Sequence, residues 1–140
     1  MADAAEKGNT LRTRAFTLVA AVVASVTVLT GTATAAPADL NAPYARAAAR
    51  VGADGTLLAT KNVSSAARFN GQSAGYYCVQ VSDPTVDLRN AAVVATVNNY
   101  RAMITAIPNS NCNGLTRTIT VVTTDSNNNL RDVPFTVAVL

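Results

Sequence analysis

Two cysteines, Cys78 and Cys112, are the only thiols in the sequence, which contains no histidine. They lie far outside the C-x-x-C spacing of a redox pair, and no further thiol or imidazole is present to complete a zinc site. If the chain is exported, as its N-terminal segment predicts below, two cysteines in a protein of this size form one intramolecular disulfide by default. We therefore predict a structural disulfide between Cys78 and Cys112. In the chain-entropy model it stabilises the folded state by about 3 to 4 kcal/mol.

Nucleophilic catalysis has few candidate residues in this chain. Without histidine, Ser-His-Asp and Cys-His arrangements are excluded, and the predicted disulfide occupies both thiols. A serine-lysine dyad is formally possible because Ser64 and Ser65 follow Lys61 closely. We prefer the simpler interpretation, a solvated lysine beside a serine-rich turn.

Acid-base chemistry would have to use the aspartates that follow the N-terminal export segment: Asp39, Asp54, Asp83, Asp87, Asp125 and Asp132. All of them fall in predicted turns or in the N-terminal arm, where aspartate commonly accepts hydrogen bonds from nearby backbone groups. Asp125 also begins a stretch like a calcium loop, but Leu130 replaces the required glycine and Thr136 the closing glutamate. We therefore predict a protein that is not an enzyme and that uses no metal and no cofactor.

The N-terminal segment has the pattern of an export signal. Arg12 and Arg14 precede the uncharged apolar run 15–29, and a small-residue stretch follows up to Pro37. The apolar run is shorter than the roughly 20 residues that a membrane-spanning helix needs. We predict a signal peptide over residues 1–35, cleaved after Ala35, and a secreted protein with no membrane contact after cleavage.

The charges of the mature chain are few and scattered. About 105 residues remain after cleavage, enough for one domain. Its eight lysines and arginines against six aspartates give a net charge of 8 − 6 = +2. Because these cations occur singly, whereas nucleic-acid binding needs them clustered on one surface, we predict no nucleic-acid partner.

Short apolar or alternating runs, bounded by turn residues, recur about every ten residues, which is typical of an all-β sandwich or barrel. The predicted strands are 44–51, 56–61, 63–69, 76–81, 91–97, 100–107, 115–124 and 135–140. The run 91–97 is nearly continuous alanine and valine, which favours a central strand. We predict an all-β fold, a single immunoglobulin-like β-sandwich of about seven to eight strands over residues 45–140. Residues 36–44 contain two prolines and predict an extended N-terminal arm.

The alternation within two of these strands assigns their faces. Tyr77, Val79 and Val81 share one face of the strand 76–81, opposite Cys78. In the last strand, alternate apolar residues, Phe135, Val137 and Val139, point inward together. For the strand 76–81 the alternation separates two faces without showing which one is inward.

Three stretches, 50–57, 75–79 and 132–140, resemble the small secreted β-sandwich proteins of filamentous actinomycetes, in which a two-cysteine domain follows a signal peptide. Within that group, the signal, the arm and the single disulfide are similar to the adaptor subunit of secreted umbrella toxin particles. There the adaptor links a lectin subunit to the repeats of a large toxin polypeptide. The resemblance implies larger secreted proteins as partners, namely a lectin subunit and a repeat-containing toxin polypeptide.

Binding through backbone and shape is the function class that remains. Sheet edges offer unpaired donors and acceptors, and an arm can add itself as a strand to another protein or lie in its groove. We therefore predict a non-enzymatic adaptor whose arm offers Leu40, Pro43 and Tyr44 to a partner. Alternatives stay open: an arm that is only a leader, a cell-surface structural protein, or an inhibitor of secreted proteases that presents loop 82–90 or loop 108–114.

Overall fold

The structure, a computed structural model, describes residues 35–72 and 74–140. The predicted signal peptide, apart from Ala35, lies outside the described residues. Within the described ranges no helix is long and apolar enough to cross a membrane. The strands are β1 (Ala38–Asp39), β2 (Ala47–Val51), β3 (Leu57–Lys61), β4 (Val63–Arg68), β5 (Tyr76–Val81), β6 (Val93–Val97), β7 (Met103–Cys112), β8 (Leu115–Thr124) and β9 (Phe135–Val139).

The strands form two sheets packed as a β-sandwich, which confirms the predicted all-β sandwich fold. The first sheet has the strand order β1-β3-β2-β9-β6, and the second has the order β4-β5-β8-β7. All neighbouring strands are antiparallel except β1, which pairs parallel with β3. The two-residue β1 lies within the predicted arm and was not among the predicted strands.

The core lies between the two sheets and contains the predicted inward face of β9 and the Tyr77 face of β5. Its members from β5 and β9 are at most 2 % exposed: Tyr77, Val79, Val81, Phe135, Val137 and Val139. The rings of Tyr77 and Phe135 pack with their centroids 5.0 Å apart and tilted by 59°. Such a tilted pair joins the sheets through the two largest side chains of the core.

The prediction that the run 91–97 is a central strand is wrong, because β6 is the last strand of its sheet. Val93 and Ala95 are half-buried against the core, whereas Val94 is 51 % exposed on the outer face. The run carries small apolar residues on both faces, and such a run resembles a strand that is covered on both sides. The composition of the run therefore does not reveal the alternation of half-buried and exposed residues that β6 shows in the sheet.

The predicted loop 108–114 is also wrong, because β7 continues to Cys112 and only Asn113 and Gly114 turn the chain into β8. The register of β7 against β8 shifts on both sides of Ser110, and Asn109 has a φ of 52°. A register shift means that one of the two strands carries an extra residue relative to the other, and such a β-bulge bends a strand without ending it. Proline is tolerated in a strand that lies at a sheet edge. Pro108 therefore marks a bent edge strand.

The tip of the β7–β8 hairpin, residues 109–117, folds back over the outer face of the second sheet. Cys112 is disulfide-bonded to Cys78 of β5, with 5.9 Å between the Cα atoms, which confirms the predicted pairing. Beyond it, the side chain of Asn113 accepts a hydrogen bond from the Asn70 amide at 2.7 Å and donates one to the Arg68 carbonyl at 2.9 Å. The tip is thus fixed to both β5 and the end of β4.

Candidate functional site

The N-terminal arm lies along the edge of the first sheet. Ala38 and Asp39 pair with Ala59 and Thr60 of β3, and the Leu40 amide donates to the Thr60 carbonyl at 2.9 Å. Parallel pairing of two residues covers part of an edge that would otherwise expose unpaired backbone groups. The arm is therefore docked on its own domain as far as Leu40.

Lys61, at the end of β3, fastens the next part of the arm. Its amine donates a hydrogen bond to the Ala42 carbonyl at 2.7 Å and lies 3.5 Å from the Pro43 carbonyl. The hydroxyls of Ser64 and Ser65 instead face the Gln80 side-chain oxygen, at 3.1 and 3.4 Å. The residues of the formal serine-lysine dyad thus have other partners, and the lysine interpreted as solvated holds the arm.

An open groove of about 510 Å³ lies between the arm and the turn from β3 to β4. Residues 39–43 form one wall, and residues 60–63 with Ser82 form the other. Leu40 is half-buried there, whereas Pro43 is exposed. Of the three predicted partner-binding residues, Leu40 and Pro43 therefore line one groove.

Tyr44, the third predicted residue, lies in the turn that ends the arm. Its side chain is 93 % exposed, while the next residue, Ala45, is buried and donates its amide to the Ala42 carbonyl at 3.2 Å. A tyrosine ring offers about 150 to 250 Å² of surface to a partner, together with a hydroxyl that can hydrogen-bond. The turn therefore displays an aromatic side chain on a backbone that is fixed on both sides.

Four turn aspartates, Asp54, Asp83, Asp87 and Asp125, accept hydrogen bonds within their own turns, as predicted. The Thr56 hydroxyl and then its amide lower the pKa of Asp54, and Thr85 does the same to the pKa of Asp83. The Arg89 amide lowers the pKa of Asp87, and the Asn129 amide lowers the pKa of Asp125. A general acid needs a raised pKa, so these four carboxyls are not tuned as proton donors.

The loop 82–90, a candidate for protease inhibition, turns two of its three apolar residues inward and leaves Pro84 exposed. Val86 and Leu88 are 5 % and 3 % exposed and belong to the core. Arg46 donates to the Thr85 hydroxyl at 2.8 Å, and Arg117 donates to the Ser82 carbonyl at 3.1 Å. The loop is thus well fixed, and apart from Pro84 the side chains it displays to solvent are polar.

Comparison with known proteins gives no relative on which to base a function. No protein-family profile matches this chain, and no curated protein or solved structure matches it. In residues 35–72 and 74–140, no three or more cysteine, aspartate or glutamate side chains are grouped so that they could hold a metal ion. The geometry of the arm therefore carries the functional argument.

Proposed function

We propose that this protein is a secreted, non-enzymatic adaptor that connects larger extracellular proteins, and that its arm docks one of them. The observation that carries this proposal is Tyr44, an aromatic side chain left 93 % exposed at the end of a fastened arm. A disulfide in a small all-β domain is consistent with an extracellular location, and the signal pattern of residues 1–35 supports secretion.

The fastening of the arm favours docking energetically. Binding by a flexible segment loses affinity because the segment must be ordered at that moment. Here the arm is held at Leu40 by Thr60 and at Ala42 by Lys61 before any partner arrives. A partner with a pocket for one aromatic side chain could therefore bind Tyr44 with little further ordering.

The resemblance to adaptor subunits of umbrella toxin particles supports a more specific proposal. Under this more specific proposal, the partners of the protein are a lectin subunit and a repeat-containing toxin polypeptide within a secreted antibacterial particle. An adaptor of this kind needs two separate binding surfaces. The arm with Tyr44 supplies one, and the body of the sandwich supplies the other.

The test is a pull-down from native culture supernatant with the tagged protein, followed by mass spectrometry and affinity measurement. Tyr44→Ala should weaken binding of one partner by about 5- to 150-fold, the loss expected for an interface aromatic. Tyr100→Ala is the matched control, because Tyr100 is also exposed, at 52 %, but lies outside the arm. A second partner bound to the sandwich should be unaffected by Tyr44→Ala.

Four results would contradict the proposal. Wild-type protein that captures no stoichiometric partner is not an adaptor, and full affinity after Tyr44→Ala removes the role of the arm. Capture of a protease that a competing substrate releases would instead identify an inhibitor. Turnover of a substrate would identify an enzyme.

A further inference from the structure

Strand β6 is an edge strand, and within residues 35–72 and 74–140 no strand pairs with its outer side. All five of its residues pair in unbroken register with β9, from Val93 opposite Val139 to Val97 opposite Phe135. It is the terminal strand in the order of its sheet. Its sequence, Val-Val-Ala-Thr-Val, contains no charge and no proline.

The hydrogen bonds at the ends of this ladder show which backbone groups point away from β9. Leu140 donates to the Ala92 carbonyl at 3.0 Å, and Asn98 donates to the Pro134 carbonyl at 2.8 Å. Because alternate residues of an antiparallel strand bond to the same neighbour, Val94 and Thr96 also bond to β9. The amides and carbonyls of Val93, Ala95 and Val97 therefore point outward.

These outward groups have almost no partners within the described part of the chain. The contact found there is the Thr96 hydroxyl, 3.4 Å from the Val97 carbonyl. Elsewhere the fold protects its edges, since β1 covers part of β3 and the register of β7 breaks around Ser110. Natural sheets use such devices, or charges and prolines, against pairing between molecules, and β6 has none of them.

We propose that a second copy of this chain pairs with β6, antiparallel, about a two-fold axis through Ala95. Ala95 then faces its equivalent, and Val93 of each copy faces Val97 of the other. Each of these three pairs is of the type that exchanges two hydrogen bonds, so every outward amide and carbonyl of β6 is paired. The strand is thus self-complementary, as a two-fold interface requires, and carries no charge that would repel its equivalent.

The side chains fit the same pairing. On the outer face, Val94 of each copy lies opposite Thr96 of the other, and pairs of β-branched residues stabilise neighbouring strands. Strand β7, which belongs to the second sheet, lies next to β6. Its Met103 and Ile107 are 48 % and 47 % exposed. Since a five-residue edge buries little area, the dimer should be weak and visible only at high protein concentration.

Sedimentation equilibrium of the mature protein over a hundredfold concentration range measures the association. Val94→Lys with Thr96→Lys places like charges opposite one another twice and should weaken the dimer at least tenfold. Val94→Lys with Thr96→Glu places opposite charges in the same two positions and should restore it. Both positions are exposed, so unchanged melting temperatures would show that folding is unaffected.

A cross-link tests the register directly. Mixing a Val94→Cys variant with a Thr96→Cys variant under oxidising conditions should give a covalent dimer, because these two residues face each other in the proposed pairing. A wild-type protein that stays monomeric at every concentration would overturn the proposal, as would equal weakening by both double variants. A protein that stays monomeric and instead binds an extended peptide of another sequence along β6 would also overturn the proposal. Tyr44→Ala should dimerise like the wild type, which keeps this test separate from that of the arm.

Discussion

The phenol oxygen of Tyr77 lies 3.1 Å from Oδ1 of Asp132 and 2.9 Å from the Ala53 carbonyl, so two acceptors face its single proton. The same Oδ1 accepts the Gly75 amide at 2.7 Å, and Oδ2 pairs with Arg68 at 2.5 Å. One half-buried carboxylate therefore joins the end of β4, the start of β5 and the segment that leads into β9.

We expect Asp132→Ala to destabilise the domain by about 2 to 3 kcal/mol, because the Gly75 amide and the Tyr77 hydroxyl lose an acceptor together. Asp132→Asn keeps an acceptor oxygen but not the charge, so it should cost about half as much. Tyr77→Phe should cost about 1 kcal/mol. Urea unfolding of the single variants and of Tyr77→Phe with Asp132→Ala gives the coupling energy, and strict additivity would contradict the contact.

Alkaline unfolding should depend on Tyr77. Burial, and then the charge of Asp132, raises its pKa from 10.0 to about 12. Because the pKa of Tyr77 is higher in the folded than in the unfolded state, its ionisation leaves the free energy of unfolding unchanged below pH 10. That free energy then falls as the pH rises from 10 to 12, by about 2 to 3 kcal/mol in all. The free energy of unfolding of Tyr77→Phe should fall less steeply than that of the wild type over this range. Parallel curves for the two proteins would contradict the prediction.

Gly75 and Gly71 separate two effects of a glycine. Both have a positive φ, of 83° and 75°, which disfavours any other residue. A Cβ on Gly75 would also collide with the Thr123 carbonyl and come within 2.9 Å of the Arg131 amide, whereas one on Gly71 would have nothing within 4 Å. Gly71→Ala should therefore cost about 1 kcal/mol and Gly75→Ala at least twice that. Equal melting temperatures for the two variants would show that the backbone around Gly75 adapts.

The sequence predicted most strands because alternation and turn residues are local signals. Strand β5 and strand β8 match their predicted bounds, and period-two alternation gives the inward face of β9 and the grouping of the β5 residues into two faces. The two errors have different origins. Whether β6 is central or an edge depends on neighbours that are distant in sequence. The continuation of β7 after Pro108 is paired locally, Ser110 with Thr118 and Cys112 with Leu115, but proline and the asparagines around it are typical loop residues.

The candidate site was predictable in part, for the same reason. Proline content and position indicated an extended arm and pointed to Leu40, Pro43 and Tyr44. The role of Lys61 could not be read from the sequence, because its partner Ala42 contributes only a backbone carbonyl 19 positions away. Asp132 was interpreted as a turn aspartate, since nothing local indicates that Gly75 and Tyr77 approach it.

Removing the disulfide should cost about 3 to 4 kcal/mol, because it closes a loop of 34 positions in the unfolded chain. Cys78→Ala with Cys112→Ala should therefore lower the urea midpoint strongly and raise the m-value, because the unlinked denatured chain exposes more surface. The hairpin tip should also lose protection against hydrogen exchange, since it then keeps the hydrogen bonds of Asn113 and Arg117 but not its covalent link to β5. Asn113→Ala in the oxidised protein is the control and should leave most of the stability in place. A double variant as stable as the wild type would contradict this account.

Lys61 should set how well the arm is ordered. Lys61→Met keeps the apolar stem but removes the amine that donates to the Ala42 carbonyl, whereas Lys61→Arg keeps a charged donor. Because the bond is partly solvated, global stability should fall by no more than about 1 kcal/mol in Lys61→Met. The amide of Leu40, an arm residue, donates to the Thr60 carbonyl of β3, and its hydrogen exchange should become at least several-fold faster. Partner affinity should fall as well, since the arm must then be ordered on binding, and Lys61→Arg should stay close to the wild type in both measurements. Exchange at Leu40 that is unchanged by Lys61→Met would show that β1 pairing alone holds the arm, and Tyr44 would then be displayed without help from the lysine.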